Sequence, residues 1–281
     1  MTRIEVSYDR RGAGEPLVLL HGIGHRWQAW EPVIDRLAER HEVYSVDLFG
    51  FGASPMLPVD RPYTVPGAVA ALAEVFDDLG LDRPHIAGNS LGGMLALELA
   101  SRDLVRSVTA LSPAGFWTAR DRAYAIQALS GIRRVARLGP AVHQALFSRR
   151  AARFAGGSLL FGKTSWLTAE IMLADMAAMA AAPGFDAVVA AGGRDYYFMS
   201  PEPAVPTTIA WGSRDRILWP RQARRCAQIL PSARHVPLPG CGHVPMGDDP
   251  AAVAEVILST CRQGLTAADT STSSVPNAVF Q

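Results

Sequence analysis

The pentapeptide GNSLG at residues 88–92 carries a side chain suited to nucleophilic chemistry. It fits the pattern G-x-S-x-G, with Ser90 at its centre, after a short apolar run and before an apolar segment with helical spacing. A serine at such a strand–turn–helix junction occupies a strained turn, so the residues two positions away must lack side chains to avoid clashes. The pattern therefore predicts Ser90 as a nucleophile.

A serine hydroxyl is a poor nucleophile at neutral pH, so it needs a base and a group that orients the base. His243 lies in GCGHVP at 240–245, where the preceding glycines let a loop project the imidazole. Asp215 ends WGSRD at 211–215, directly after an apolar run, whereas the loop at 112–114 after the preceding run has no carboxylate. Ser90, Asp215 and His243 are therefore the predicted catalytic residues, in the chain order Ser, Asp, His.

A carbonyl under attack also needs hydrogen-bond donors for its oxygen in the transition state. The backbone N–H of Leu91, directly after the nucleophile, is one predicted donor. The second is the backbone N–H of Ile23, in the loop HGIG at 21–24 that follows another apolar run. His21 is predicted to brace this loop, and His25 either faces the substrate entrance or belongs only to the loop.

These residues need a frame that brings several strand ends together. Short apolar runs alternate with helical segments through the first 113 residues, and the alternation returns at 207. Such runs are typical of parallel strands buried on both faces, and ligands gather at the carboxyl ends of these strands. We therefore predict an α/β fold with a mostly parallel central sheet flanked by helices. An edge strand at 4–8, followed by a turn from Arg10, is predicted to precede it.

The alternation stops between residues 116 and 203, a stretch rich in alanine and methionine. Its helical spacing predicts helices at 120–137, 140–154 and 168–182. The predicted domains are an α/β core at 1–115 and 204–265, a helical cap at 116–203 and a flexible tail at 266–281. The last core helix is predicted at 250–262, with Asp248 and Asp249 as its capping residues.

The overall composition argues against several classes of protein. A net charge of +1, from 27 basic and 26 acidic residues, gives no electrostatic reason to expect nucleic acid or an anionic membrane as partner. Three cysteines without a CxxC pair imply neither a disulfide framework nor a structural zinc site. The N-terminus has no signal-peptide core, and no apolar stretch reaches the roughly 20 residues that span a bilayer. We expect a cytoplasmic monomer or homodimer that acts on a small molecule without a metal or organic cofactor.

Five segments together resemble the α/β-hydrolase superfamily and, within it, the capped esterase and lyase-like group. They are HGIG at 21–24, DLFGFGAS at 47–54, GNSLGG at 88–93, WGSRD at 211–215 and GCGHVPM at 240–246. Haloalkane dehalogenases and epoxide hydrolases carry an aspartate where this chain has Ser90. The meta-cleavage carbon–carbon hydrolases share the GNS-x-GG segment but usually carry a tryptophan where this chain has Val244. Cofactor-free haloperoxidases resemble the esterases too closely for the sequence to separate them.

The resemblance and the apolar cap predict a serine hydrolase that cleaves a carboxylic ester, lactone or thioester with an apolar, medium-sized acyl or alcohol part. The predicted substrate-binding residues are His25, Trp117, Trp166, Met176 and Val244. Arg194 either meets a substrate carboxylate or forms an internal ion pair. Two alternatives stay open: a carbon–carbon hydrolase or lyase with the same triad, and a receptor-like binding protein that turns over slowly.

Overall fold

A seven-stranded sheet forms the centre of the computed structural model, which describes residues 4–191 and 196–272, with side chains through residue 265. The strands are β1 (Tyr8–Arg11), β2 (Pro16–Leu20), β3 (Glu42–Val46), β4 (His85–Asn89), β5 (Ser107–Leu111), β6 (Thr207–Gly212) and β7 (Arg234–Leu238). Their order across the sheet is β1-β3-β2-β4-β5-β6-β7, with β1 antiparallel to β3 and the other neighbouring pairs parallel. The predicted α/β fold with a mostly parallel sheet is confirmed.

The helices flank this sheet and, between β5 and β6, form a separate layer. In chain order they are α1 (Glu31–Ala38), α2 (Val65–Leu79), α3 (Leu91–Ser101), α4 (Ala119–Ala136), α5 (Pro140–Phe147), α6 (Arg150–Gly157), α7 (Ala169–Ala181), α8 (Pro183–Ala191), α9 (Arg221–Ile229), α10 (Pro245–Asp248) and α11 (Pro250–Thr272). Of these, α3 packs on β4 and β5 and is buried on all sides through Ala100. A helix apolar all round requires such a position, because it has no polar face for solvent.

The edge strand lies at Tyr8–Arg11 instead of the predicted 4–8. Its ladder with β3 runs from the pair Tyr8 and Val46 to the pair Arg11 and Val43. The chain turns at Gly12, whose φ of 80° is a conformation that residues with a Cβ rarely adopt. The turn thus begins after Arg11, and the predicted turn from Arg10 was placed too early.

Five helices, α4 to α8, lie in the segment predicted as the cap, where three were expected. Within 116–191 and 196–203, the described parts of that segment, no residue is in a strand. The single helix predicted at 140–154 is divided at Ser148 and Arg149 into α5 and α6. The helix α8 begins at Pro183, where proline is tolerated because the first turn needs no N–H donor. The domain boundaries stay a prediction.

The last helix is longer than predicted, because α11 continues to Thr272. Residues 266–272 are therefore helical, whereas 273–281 lie outside the described residues, and the flexibility of the tail stays a prediction. Gly264 lets α11 approach the sheet closely, since a Cβ there would lie 3.0 Å from the carbonyl oxygen of Arg106.

Within the described ranges, no single helix has both the length and the apolar composition needed to cross a bilayer. The pair α7 and α8 meets that criterion only when joined, and the two helices are bent by 60° relative to each other. The buried side chains of α7 are three methionines, Met172, Met176 and Met179.

Candidate active site

Ser90 occupies the strained turn that joins β4 to α3, with φ 55° and ψ −114°. Its N–H donates to the carbonyl of Leu111 at 3.0 Å, and its own carbonyl accepts from the N–H groups of Met94 and Ala114, each at 3.0 Å. A residue in this sparsely populated region persists only where its surroundings hold it. Here three backbone hydrogen bonds hold the turn and present the Ser90 side chain at the carboxyl end of β4.

The glycines on both sides of Ser90 are required by close backbone contacts. A Cβ on Gly88 would lie 2.1 Å from the carbonyl oxygen of Gly92. A Cβ on Gly92 would lie 2.2 Å from the carbonyl oxygen of Leu20 at the end of β2. The motif G-x-S-x-G is therefore a consequence of packing in this turn.

The side chains of His243 and Asp215 form a hydrogen-bonded pair. The distance from His243 Nδ1 to Asp215 Oδ2 is 2.9 Å. The other carboxylate oxygen, Asp215 Oδ1, accepts the backbone N–H groups of Ile217 at 2.9 Å and Leu218 at 2.8 Å. With Nδ1 donating to Asp215, His243 leaves Nε2 available to accept a proton, and the carboxylate would stabilise the imidazolium that results.

Ser90 and His243 line one cavity, and Asp215 lies behind His243. The exposed fractions of Ser90, Asp215 and His243 are 5%, 3% and 3%. Water has little access to these groups, so charges that develop among them interact more strongly than in bulk solvent. The structure thus brings together the three residues that the sequence motifs single out.

Asn89, which the sequence motifs did not reveal as functional, joins the serine turn to the histidine loop. Its Nδ2 donates to the carbonyl of His243 at 2.9 Å and to the carbonyl of Leu111 at 3.1 Å. Asn89 is buried, and its amide is the donor recorded for the carbonyl of His243, whereas the carbonyl of Leu111 also accepts the N–H of Ser90. Asn89 occupies the variable position before the serine in G-x-S-x-G. Because that position accepts any side chain, the motif gave no signal for Asn89.

Asp248 anchors the histidine loop to the loop between α6 and α7. Its Oδ2 accepts the backbone N–H groups of Gly242 and Gly162, each at 2.7 Å, and its Oδ1 accepts that of Lys163 at 2.8 Å. The prediction that Asp248 caps the last helix is therefore wrong, because all its recorded partners lie in these two loops. Asp249 does accept a backbone N–H in the first turn of α11.

His21 braces the loop that carries Ile23. The N–H of Leu48 donates to His21 Nε2 at 3.0 Å, so the ring proton is on Nδ1, which lies 2.7 Å from the carbonyl oxygen of Gly22. Burial lowers the pKa of His21 to about 3, which keeps the ring neutral at physiological pH. His21 is thus a structural residue of this loop, as expected.

Asp47 braces the backbone beside the same loop. Its Oδ1 accepts the N–H of Trp27 at 2.6 Å, and its Oδ2 accepts the N–H of Ala53 at 2.9 Å. Burial raises the pKa of Asp47, while these two backbone donors oppose that shift by stabilising the carboxylate. Its recorded hydrogen bonds thus hold the backbone in place.

The loop at 21–24 passes directly beside the nucleophile. A Cβ on Gly22 would lie 3.2 Å from the Cβ of Ser90. Ile23 follows, and Leu91 begins α3 at the positive end of its helix dipole. No acceptor is recorded among the described residues for the N–H of Ile23 or of Leu91. Both predicted oxyanion donors therefore lie in backbone segments adjacent to Ser90.

Two cavities meet at Ser90. The first lies on the His243 side, and the second lies on the Leu91 side. Ser90, Ile23 and Leu129 line both. The described lining residues of the two cavities include no arginine or lysine, and Asp175 supplies a carboxylate to the first. A carbonyl bound at Ser90 would thus have space for one substituent on each side.

Four of the five predicted substrate-binding residues line these cavities. His25, Met176 and Val244 line the first, and Trp117 lines the second. Burial lowers the pKa of His25, while the nearby carboxylate of Asp175 acts in the opposite direction. The indole Nε1 of Trp117 is buried without a hydrogen-bond partner among the described residues. Trp117 thus brings an unpaired buried donor to the wall of the second cavity.

Trp166 does not line either of these cavities. Its ring meets Phe161 edge-on, with centroids 4.9 Å apart, and covers Gly247, where a Cβ would lie 2.1 Å from the indole. Trp166 instead lines a neighbouring cavity together with His25 and Val244, so its part in substrate binding stays a prediction. Arg194 lies outside the described residues.

The cysteines offer no second nucleophile near Ser90. Cys226, Cys241 and Cys261 are free and buried. Burial raises the pKa of Cys241 to about 11 and that of Cys261 to about 12, and it also raises the pKa of Cys226. In the part of the chain that the structure describes, no group of three or more His, Cys, Asp or Glu side chains is arranged to hold a metal ion.

Comparison with known proteins adds family evidence to this geometry. The sequence model of the alpha/beta hydrolase fold matches residues 15–250. The chain is 40% identical over 102 residues to 2-hydroxy-6-oxo-2,4-heptadienoate hydrolase of Pseudomonas putida, a match that covers 35% of this chain and 37% of that protein. It is 39% identical over 97 residues to pimeloyl-(acyl-carrier protein) methyl ester esterase of Aeromonas hydrophila, covering 34% and 36%. The enol-lactonase from Burkholderia xenovorans LB400 has a similar fold, with a TM-score of 0.72, 21% identity and coverage of 93% and 98%.

Proposed function

The chain belongs to the alpha/beta hydrolase fold family, and from that premise we propose that it is a serine hydrolase acting on a neutral carboxylic ester, lactone or thioester. The observation that carries the proposal is the hydrogen-bonded pair of His243 and Asp215 beside Ser90, where two cavities meet. Among the relatives described above, two bear the names of an ester esterase and an enol-lactonase. Those names support acyl chemistry for this chain without identifying its substrate.

In the proposed reaction, Ser90 attacks the substrate carbonyl carbon while His243 takes the hydroxyl proton at Nε2. The carbonyl oxygen becomes an oxyanion, which accepts hydrogen bonds from the backbone N–H groups of Leu91 and Ile23. The protonated His243 then gives its proton to the leaving alcohol or thiol, and an acyl-enzyme remains on Ser90. Water attacks this ester with His243 again as base, which releases the acid and restores the hydroxyl.

The cavities favour a neutral substrate with an apolar group on both sides of the scissile bond. The second cavity is lined mostly by apolar side chains, including Val188, Ile217 and Leu218. An anionic substrate would need a cationic partner, since burying an unpaired charge is costly. The described lining residues include no arginine or lysine, and Asp175 in the first cavity is already paired with Arg26 at 3.8 Å.

The same argument bears on carbon–carbon cleavage, the alternative that the Pseudomonas putida relative favours. Its named substrate is a dienoate, which carries a carboxylate. The described linings offer no arginine or lysine for such a group. Turnover of a vinylogous diketo acid in preference to aryl esters would make this alternative the better assignment.

The decisive experiment labels the purified protein with a fluorophosphonate probe and measures hydrolysis of a panel of neutral esters, thioesters and lactones. We expect labelling and turnover of the native protein and loss of both in Ser90→Ala. Ser101→Ala, which removes a hydroxyl bonded within α3 at its far end, is the matched control and should keep both. Undiminished labelling of Ser90→Ala would contradict the proposal. A burst of about one product per protein without further turnover would favour a receptor-like protein.

A further inference from the structure

Charge is distributed unevenly along a chain whose overall charge is close to zero. Residues 122–169, which include most of the cap helices, contain seven arginines and one lysine but no aspartate or glutamate. A segment whose charged side chains all have the same sign attracts opposite charges locally, whatever the net charge of the whole protein. The balance of 27 basic and 26 acidic residues therefore conceals a basic region in the cap.

Several of these cations have no acidic partner in the described structure. Arg134, Arg149 and Arg150 are exposed, and no ion pair is recorded for them within the described ranges. Two others are already compensated, since Arg133 and Arg137 both pair with Asp186 at 2.9 Å. The exposed and uncompensated arginines thus lie at the end of α4 and at the junction of α5 and α6.

The same stretch exposes large apolar side chains. Within the described residues, five of the ten exposed large hydrophobic side chains fall between 135 and 154, with Leu138 at 59% and Phe154 at 63%. The five are Val135, Leu138, Val142, Leu146 and Phe154. We call these five side chains and the three arginines the basic apolar face. Such a concentration of apolar groups on a surface marks an interaction site more often than scattered ones do.

Short hydrogen bonds hold the helices of this face together. The ring Nε2 of His143, on the buried side of α5, lies 2.8 Å from the carbonyl oxygen of Val135 in α4. Arg153 of α6 donates to the carbonyl of Phe147 at 2.7 Å. In α5, Val142 and Leu146 are four residues apart and therefore lie on the same side of the helix. The face is thus a fixed surface of three connected helices.

The helices that carry the face also wall the first cavity. Leu129 and Ile132 of α4 and Gly156 and Gly157 of α6 line it on the Ser90 side. Gly156 itself is exposed, only two residues after Phe154. Gly156 therefore marks a place where the first cavity approaches the surface, next to Phe154 of the basic apolar face.

We propose that the basic apolar face docks the protein on an anionic lipid bilayer. Apolar side chains insert at the boundary between headgroups and acyl chains, and arginines bind lipid phosphates, which is how amphipathic surfaces bind membranes without spanning them. Charge complementarity selects this partner over a second copy of the chain, because two such faces would bring like charges together. Docking here would also offer apolar esters dissolved in the bilayer to the first cavity, a consequence that rests on the proposed function.

The test is co-sedimentation of the full chain with vesicles of phosphatidylcholine alone or of equal parts phosphatidylcholine and phosphatidylglycerol. The chain carries Ser90→Ala, so that it hydrolyses no lipid during the measurement. We expect binding to the mixed vesicles, weakened by salt. The triple variant Arg134→Gln, Arg149→Gln, Arg150→Gln should bind about a hundredfold more weakly, since each surface arginine contributes roughly fivefold. The double variant Leu138→Ser, Phe154→Ser should also lose binding.

The matched controls alter the same residue types elsewhere on the surface. The charge control is Arg36→Gln, Arg40→Gln, Arg224→Gln, and the apolar control is Val59→Ser, Met199→Ser, all at exposed positions. Both controls should bind vesicles as the parent does, and all variants with Ser90 restored should be labelled by the fluorophosphonate probe. The proposal would be overturned by an equal loss of vesicle binding in the controls and the face variants, or by no vesicle binding at all. It would also be overturned by a dimer in solution that the substitutions at Leu138 and Phe154 dissociate. Vesicle binding with no probe labelling would contradict the proposed function alone.

Discussion

The side-chain amide of Asn89 donates to the backbone carbonyl of His243 at 2.9 Å, across 154 positions of sequence. Asn89 directly precedes Ser90, so this bond fixes the loop of the proposed base to the turn of the proposed nucleophile. The same amide holds the carbonyl of Leu111 at the end of β5. Through one side chain, the ends of β4 and β5 and the histidine loop keep a common geometry.

Replacing Asn89 by alanine should lower kcat on a neutral ester about ten- to hundredfold, with little change in KM. The reason is that a small displacement of His243 from Ser90 weakens proton transfer without altering the apolar cavities. The carbonyl of His243 would also lose its donor, which should cost about 1–3 kcal/mol in the free energy of unfolding. Steady-state kinetics and urea denaturation measure the two effects.

Thr260→Val is the matched control for the loss of a buried hydrogen bond. The hydroxyl of Thr260 donates at 2.7 Å to that of Thr208, between α11 and β6. We expect this variant to lose stability while kcat stays unchanged. Equal falls of kcat in both variants would assign the Asn89 effect to general destabilisation.

Asp215→Asn should reduce kcat by about 10³–10⁴-fold and leave the fold intact. An amide in place of the carboxylate neither holds the His243 proton on Nδ1 nor stabilises the imidazolium. The side-chain oxygen can still accept the N–H groups of Ile217 and Leu218, so the loop should keep its shape. Circular dichroism and single-turnover kinetics separate the two outcomes, and a loss below tenfold would exclude Asp215 as the orienting acid.

The adjacent residues Asp248 and Asp249 should respond very differently to alanine. Asp248→Ala leaves three backbone N–H groups without their acceptor, which should cost about 3 kcal/mol or more. Asp249→Ala removes one helix-capping bond and should cost about 1 kcal/mol. Amide hydrogen exchange should accelerate at Gly162 and Gly242 in Asp248→Ala only. Similar exchange in both variants would show that Asp248 does not anchor the two loops.

The buried ring of His85 should make the protein less stable in mild acid. Burial, together with the nearby charges of His41 and Arg106, lowers the pKa of His85 in the folded state to about 3, against about 6.5 in the unfolded chain. Between these values the unfolded chain binds a proton that the folded protein does not, so stability falls as pH falls. Between pH 7 and pH 5, the free energy of unfolding of His85→Leu should therefore fall by about 2 kcal/mol less than that of the native protein. Urea denaturation at each pH measures this difference, and parallel stability curves would contradict it.

The unpaired Nε1 of Trp117 should select substrates with an acceptor in the second cavity. The comparison uses two synthetic esters, one of which has an ether oxygen where the other has a methylene group in the part that enters the second cavity. A hydrogen bond to this N–H should give the ether about a three- to tenfold higher kcat/KM, and Trp117→Phe should abolish that preference. Equal kcat/KM values for the two esters in the native protein would show that Trp117 contacts no substrate acceptor.

Much of the frame could be predicted from the sequence, because local patterns determine it. Six of the seven strands lie where apolar runs or strand–helix alternation placed them. For β2 to β6 the reason is that buried parallel strands need apolar side chains on both faces, whereas the mostly exposed β7 follows from the alternation alone. The exception is the edge strand β1, whose limits depend on pairing with β3 and on the turn at Gly12. Helix ends in the cap and in α11 were also missed, because packing against distant segments determines them.

By itself, the sequence determined which side chains could stand at strand ends with the chemistry of a nucleophile, an acid and a base. Glycine spacing around Ser90 and the loops carrying Asp215 and His243 are local requirements of tight turns, so they are visible in the chain itself. Only the tertiary structure decided that Asn89 and Asp248 hold the histidine loop, that two cavities meet at Ser90, and that Trp166 lines neither of them. These relationships join segments far apart in sequence, and no local pattern encodes which distant backbone group a buried polar side chain will find.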